Sequence, residues 1–317
     1  MRGKVLPVLA VVAAILLAWT LAAIPMNIRE VLSQAEREGA TVQGGTAIER
    51  RDASALGLVL ANPSLALAGW SQERPRLPSP HQVAIELWDS TIAEEAFSRR
   101  GIVQSGEFSK KSLIYHGGVT LSATLLGFAF GTALGILLAV GIVHSRTMDL
   151  SVMPWAVVSQ TIPIIALAPM IIVVLYSVGV QGIVPKAIIS AYLSFFPVVV
   201  GMVKGLRSPE PSQLDLLRTY GASAAQTLWT LRLPASVPYL FASLKIAMAA
   251  SLVGAIVGEL PTGAVAGLGA RMLAGSYYGQ TVQIWAALLT AAFLAAGIVG
   301  LIGVAERRVL ARMGAPA

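Results

Sequence analysis

Long stretches without a formal charge alternate with short charged breaks along this chain. Asp, Glu, Lys and Arg are absent from 5–28, 112–145, 150–185, 187–203 and 272–305, and 233–258 contains only Lys245. About 20 apolar residues cover the roughly 30 Å of hydrocarbon in a bilayer. The pattern therefore predicts six membrane-spanning helices, at 5–24, 119–143, 153–175, 185–203, 238–258 and 283–304. The fourth is slightly short, and Pro163 and Pro169 interrupt the third. The expected fold class is all-α and integral to the membrane. Composition agrees: 56% of the 317 residues are hydrophobic and 12% are charged, against about 25% charged in soluble domains.

The basic residues sort by loop. Placing the N-terminus in the cytoplasm puts Arg2, Lys4, Arg146, Lys204, Arg207, Arg218, Arg232, Arg307, Arg308 and Arg312 on that side, as the excess of Lys and Arg in cytoplasmic loops requires. Lys245 lies one or two turns inside the fifth span and is expected to snorkel back to the same face. Only Lys186 and Arg271 fall on the far side outside the long segment 25–115, which holds 10 basic and 11 acidic residues. Both termini are thus expected inside. The net charge of +7 reads as topology and not as a nucleic-acid surface, because the basic residues do not gather on one soluble face. Residues 1–24 read as a retained span, since their apolar run exceeds a signal core and lacks an Ala-x-Ala site.

Four segments follow: an N-terminal helix (1–24), a long extracytoplasmic segment with interfacial helices (25–115), a core (116–305) and a basic cytoplasmic tail (306–317). Within the second, Glu36, Arg37 and Glu38 suggest a helix start that stops at Gly39. Residues 53–70 are apolar but interrupted at Asn62-Pro63, and read as interfacial or folded against the bundle. The stretch 71–80, with Pro75, Pro78 and Pro80, is a linker, and a short helix is expected from His81 with Pro80 in its first turn. Gly127, Gly131 and Gly135, and again Gly297, Gly300 and Gly303, put small residues at spacings that let helix backbones approach closely.

Chemistry of the usual kinds is missing. The sequence has no GxxxxGK[ST] phosphate loop, no GxSxG, no HExxH and no cysteine. His81, His116 and His144 are far apart and have no partner at metal-ligand spacing. No catalytic residue, cofactor or metal is therefore expected. Ionisable groups within the spans are almost limited to Lys245 and Glu259, whereas ion-coupled carriers normally need several along a path. The energy for any transport is expected to come from elsewhere.

One polar interruption stands out, 204–237. Pro209 and Pro211 end the fourth span. A short helix is expected from Ser212 as N-cap to Tyr220, with Asp215 near its positive N-terminal end. Gly221 then supplies the left-handed residue that closes a helix. A second helix runs from Ser223 to about Leu231, and Leu233-Pro234 breaks the chain before the fifth span. Leu214, Leu216, Leu217 and Tyr220 give the first helix an apolar face suited to a partner's groove.

This segment resembles the loop of binding-protein-dependent ABC transporter permeases, whose pattern is Glu-Ala-Ala, three residues, Gly, nine residues, Ile-x-Leu-Pro. Asp215-Leu216-Leu217 stands for the triplet, Gly221 for the glycine and Leu231-Arg232-Leu233-Pro234 for the end, with both spacings kept. LPSPHQVAIELWD (77–89), TLSATLLGFAFGTALGILLAV (120–140), QTIPIIALAPMIIVVLYSVGV (160–180) and IVGELPTGAVAGLGARML (256–273) resemble further blocks of the nitrate/sulfonate/taurine-type branch. Residues 25–76 and 90–111 depart from that branch's compact pattern.

The resemblance implies a type I importer permease bundle in the cell (inner) membrane. A second copy would complete the solute pathway, most simply as a homodimer. An ABC ATPase subunit, which would bind the ATP, would dock on loop 213–234, and an extracytoplasmic substrate-binding protein would deliver the solute. Asp215, Leu216, Leu217, Arg218, Tyr220, Gly221, Leu233 and Pro234 would then carry coupling, and the solute would be nitrate-, sulfonate-, taurine- or pyrimidine-like. Gln160, Thr161 and Pro163 interrupt the third span either as part of the pathway or as a packing kink. Glu259 reads as a gate residue, a partner of Arg271 or a boundary carboxylate. The contrasting classes are a stand-alone channel or ion-coupled carrier, and a membrane anchor or sensor built on the outer segment.

Overall fold

The computed structural model of the protein describes residues 2–261 and 263–314, without the side chains of residues 2–5. The side chains of Arg2 and Lys4 and residues 315–317 of the basic tail lie outside the described residues. Among the described residues the regular structure is helical, with no strand. The principal helices are α1 (Arg2–Arg37), α2 (Ala55–Ala61), α3 (Pro80–Trp88), α4 (Leu113–His144), α5 (Arg146–Ser159), α6 (Ile164–Ser177), α7 (Ile183–Leu206), α8 (Pro211–Thr219), α9 (Leu233–Glu259), α10 (Leu268–Tyr277) and α11 (Thr281–Arg312). Among the described residues five continuous helical stretches are long and apolar enough to cross a membrane: Leu6–Arg37, Leu113–His144, Ile183–Leu206, Ala224–Glu259 and Thr281–Arg312. The pair α5 and α6, bent by 101° at a short break, makes a sixth when counted as one span.

Two compact units divide the chain, Met1–Leu113 with Arg271–Leu289, and Ile114–Ala270 with Thr290–Ala317. In the first, α1 runs well past the expected end at residue 24. The charged group at 36–38 closes this helix and does not start a new one, and Gly39 ends it at φ 86°. A polar Asn27 lies inside the helix, fully buried, where an unpaired amide would cost several kcal/mol. Its amide donates to the carbonyls of Gly69 at 2.9 Å and Leu77 at 2.8 Å. Its oxygen accepts from the backbone N–H groups of Arg76 at 2.8 Å and Leu77 at 3.0 Å. Every hydrogen-bonding position of the amide is therefore used, and the partners come from a segment more than 40 residues away.

That segment folds against α1. Leu58 of α2 and Ala66 pack with Ile28 and Leu32 of α1, so 53–70 is a layer on α1. Close approach needs Gly69, where a Cβ would sit 3.3 Å from the backbone of Ile24. The indoles of Trp19 and Trp70 donate to the carbonyls of Pro78 and Thr20, at 2.9 and 2.8 Å. Ser79 and Gln82 form a capping box on α3, with Pro80 in the first turn, which is the start the sequence indicates.

In the second unit the glycine spacing on α4 has a direct use. A Cβ at Gly127 would lie 2.2 Å from Ser190 Cβ, at Gly131 2.2 Å from Ser194 Oγ, and at Gly135 2.7 Å from Val198 Cβ. One face of α4 is thus seated on α7. Gly201, Gly205 and Gly254 make the same kind of approach between α7 and α9, and Phe195, Val198, Val199, Met202 and Ala247 form the core there. The second glycine series differs: Gly297 and Gly300 meet nothing within 4 Å.

One further expectation is corrected. Leu233-Pro234 does not break the chain; helix continues from Ala224 to Glu259. A π turn at Leu228–Arg232 directly precedes Pro234, and its wider winding absorbs the missing N–H and the ring's clash with the preceding turn. Lys245 forms an ion pair with Glu306 of α11, the first residue of the segment 306–317.

Candidate coupling loop and buried carboxylate cluster

The loop after α7 is organised by its own local bonds. Glu210, and not Ser212, caps α8: it forms a capping box with Gln213, and Pro211 occupies the first turn. Proline is pre-set for that position, which moves the N-cap two residues earlier. At the other end Gly221 takes φ +69°. Gly221 N–H donates to Arg218 O at 2.9 Å and Ala222 N–H to Leu217 O at 3.0 Å, the paired bonds of a Schellman closure. Ser223 starts the next turn in a second capping box, donating its N–H to Gln226 Oε1 at 2.7 Å and accepting from Gln226 N–H at 3.2 Å.

Asp215 and Arg218 pair at 2.9 Å across one turn, with 67% and 77% of their side chains exposed. Such a pair contributes at most about 1 kcal/mol. Leu216, Tyr220 and Trp229 are 57%, 80% and 71% exposed. These are large apolar side chains on a polar loop with no cover from their own chain. Arg232 donates to Leu206 O at 3.0 Å, placing a cation at the C-terminal end of α7, where the helix dipole favours it. Arg232 thereby ties the loop to the bundle. Trp229 and Arg232 were not singled out from the sequence as site residues, although both sit within the 213–234 segment.

The sequence-derived pathway residues lie in two different settings. Gln160, Thr161 and Pro163 form the break between α5 and α6. Thr161 Oγ1 donates to Val158 O at 2.8 Å, and Pro163 is the N-cap of α6. Tyr192 of α7 donates its hydroxyl to the carbonyl of Ser159, so the break is anchored to α7. Pro169 lies inside the continuous α6.

Glu259 ends α9 fully buried. Thr120 Oγ1 of α4 lies 2.9 and 3.1 Å from its two carboxylate oxygens, and Gly269 N–H donates to Oε2 at 2.8 Å. Lys186 Nζ lies 4.0 Å from Oε1 and 3.5 Å from Ala266 O. Leu268 N–H donates to Thr120 Oγ1 at 2.8 Å, and Gly267 N–H to His116 Nδ1 at 3.0 Å. The last bond makes Nδ1 an acceptor and so assigns the tautomer. A Cβ on Gly267, at φ +127°, would lie 2.3 Å from the Glu259 carboxyl carbon, and one on Gly269 2.4 Å from Ile256 O. Gly267 is therefore required by the carboxylate, and Gly269 by the backbone of α9. Thr120, His116 and Lys186 escape sequence reasoning, since they lie 139, 143 and 73 positions from Glu259.

Among the described residues no group of three or more His, Cys, Asp and Glu is placed to hold a metal ion. The arrangement is a loop closed by its own local bonds with exposed apolar side chains, and a buried carboxylate tied to neighbouring helices.

Comparison with known proteins identifies the architecture. The family described as "Binding-protein-dependent transport system inner membrane component" matches residues 131–313, more than half of the chain. A probable ABC transporter permease of Haemophilus influenzae is 33% identical over 183 residues, which cover 57% of this chain and 73% of that protein. A formylaminopyrimidine transport permease of Halalkalibacterium halodurans is 33% identical over 168 residues, 53% of this chain and 65% of the relative. A riboflavin transport system permease of Chloroflexus aurantiacus is 29% identical over 231 residues, 73% of this chain and 78% of the relative. Permeases named for aliphatic sulfonates and for nitrate import also match, in agreement with the branch that the sequence blocks resemble. The chain belongs to the inner-membrane components of binding-protein-dependent transport systems, as a multi-pass permease subunit of ABC importers.

Proposed function

We propose that this chain forms the solute pathway of an ATP-driven importer and couples to a separate ATPase through loop 213–234. The observation that carries the reading is the exposure of Leu216, Tyr220 and Trp229 on α8 and the first turns of the helix that follows it, a frame fixed by a Schellman closure and two capping boxes. A groove-binding helix needs this combination of a stiff frame and uncovered apolar anchors. The ATPase would bind the ATP, and this chain would carry no catalytic group, cofactor or metal of its own. Both termini would be cytoplasmic, on the side of the coupling loop. A second copy of the chain would complete the pathway, and an extracytoplasmic binding protein would deliver a small organic or anionic solute. Support for that solute class comes from the names of the relatives, which run from formylaminopyrimidine to sulfonates and nitrate.

Gly221→Asp tests the coupling. A side chain at Gly221 meets nothing within 4 Å, so the spans should still fold. The left-handed residue becomes unfavourable by about 1–2 kcal/mol, and a negative charge enters the docking surface. Copurification of the ATPase and ATP-dependent uptake in proteoliposomes should both fall by about tenfold or more. Unchanged ATPase binding and uptake would sink the coupling role. Uptake by this chain alone would instead favour a stand-alone carrier.

A further inference from the structure

Residues 25–76 precede the family match, and the permease function leaves them without a role. The segment contains six arginines, no lysine and six acidic residues, so its formal charge is zero. Folding separates those charges. All six arginines (Arg29, Arg37, Arg50, Arg51, Arg74 and Arg76) line one cleft of about 860 Å³, together with only three of the acids, Glu30, Glu36 and Glu73. The cleft therefore carries an excess of three positive charges.

Internal pairing uses only part of that charge. Arg50 pairs with Glu36, and Arg76 with Glu30 at 2.6 Å. Arg29 donates to Ala53 O at 2.8 Å. Arg37, Arg51 and Arg74 form no ion pair among the described residues and are exposed. Arg50 is 2% exposed, and its Nε, like that of Arg29, is buried without a hydrogen-bond partner. Glu36 compensates its charge, and its other guanidinium nitrogen donates to Gly45 O at 2.6 Å. The excess positive charge of the cleft therefore sits on its rim, on the unpaired forks of Arg37, Arg51 and Arg74.

We propose that this cleft is a binding site for a polyvalent phosphate-type oxyanion. Guanidinium forks match phosphate oxygens two at a time, which an ammonium does not, and the cleft's basic groups are all guanidiniums. Its volume falls in the range of roughly 300–1,000 Å³ typical of small-molecule sites, larger than one inorganic anion needs. A soluble diphosphate and the headgroup of an anionic phospholipid share this chemistry. The proposal does not depend on the coupling loop or on the transported solute.

The test uses the full chain in detergent and in nanodiscs. Inorganic pyrophosphate is titrated by calorimetry in detergent, and retention of phosphatidylglycerol over phosphatidylcholine is read by native mass spectrometry from mixed nanodiscs. Arg51→Gln/Arg74→Gln should weaken the bound probe by about tenfold or more without changing the melting temperature, because neither residue makes an ion pair. Lys110→Gln/Lys111→Gln, at a separate basic cleft, should leave binding unchanged. Arginine-dependent binding of pyrophosphate assigns a soluble ligand, and arginine-dependent retention of phosphatidylglycerol assigns a lipid headgroup. Binding of neither probe, or equal loss in both double variants, overturns the proposal.

Discussion

The loop at 210–232 and the cluster around Glu259 are both polar interruptions in apolar chain, but they are built in opposite ways. In the loop the bonds are local apart from that of Arg232 to Leu206 O: capping boxes at three-residue spacing, a Schellman closure, and an ion pair within one turn. Its large apolar side chains are left uncovered. In the cluster the bonds join α4, α7, α9 and the start of α10, and the central carboxylate has no exposure at all. Local bonding leaves a surface free for a partner, and long-range bonding spends the polar groups on holding the bundle. Polar residues between spans therefore cannot be given a role by polarity alone; the range of their bonds decides it.

The largest effect should come from the cluster. Glu259→Ala removes the acceptor of Thr120 and Gly269 and leaves Lys186, with a side chain only 10% exposed, without its counter-charge. Breaking a buried pair in this way typically costs about 3–5 kcal/mol, and detergent-solubilised protein should lose most of its monodisperse fraction. Glu259→Gln keeps the shape and should recover part of that loss. Equal stability of Glu259→Ala and wild type, by thermal unfolding, would show that the cluster is a site and not a fixture.

Next in size is the loop, where the effect should fall on association. Tyr220→Ala and Trp229→Ala remove exposed anchors and should change thermal stability by less than about 0.5 kcal/mol. Each should still weaken ATPase binding by about tenfold or more if it fills a pocket on the partner. Asp215→Ala is the smaller counterpart. Its exposed pair contributes at most about 0.5 kcal/mol as an i,i+3 helix contact, so stability should be nearly unchanged. A stability loss as large as that of Glu259→Ala would remove the distinction between the two regions.

The spans were legible from the sequence because a bilayer demands one signal, a sustained apolar run, and the chain supplies it. The glycine ladder of α4, the start of α3 at Pro80 and the left-handed Gly221 were legible for a similar reason: each is a local requirement met by one residue type. What escaped depends on distant partners. The continuation of α1 past residue 24 requires Asn27 to be saturated by the backbone of Gly69, Arg76 and Leu77, and nothing near Asn27 announces it. The passage of helix through Pro234 depends on a π turn that no composition signal marks. Glu259 was visible as an isolated carboxylate, but its role became readable only with Thr120 and Lys186 in place. The proposed role of loop 213–234 rests on resemblance and exposure, and the loop variants above are its test.

The smallest effect concerns a carboxylate between the two extremes. Glu86 on α3 is half-buried, neither saturated like Glu259 nor exposed like Asp215. Burial pushes its carboxyl above the ordinary value of 4.5, the Arg271 guanidinium draws it back, and Asp89 adds to the rise. A raised value means that the folded protein holds this proton at a pH where the unfolded chain has released it. Stability then falls as pH rises through the unfolded value of 4.5 and levels off once the folded carboxyl has also ionised. Glu86→Gln cannot ionise, so its stability advantage over wild type should grow between pH 4 and the folded value and stay constant above it. Thermal unfolding of both proteins across that range isolates the one group. If the advantage shrinks with rising pH instead, attraction to Arg271 outweighs burial, and Glu86 belongs with the paired carboxylates and not between the two classes.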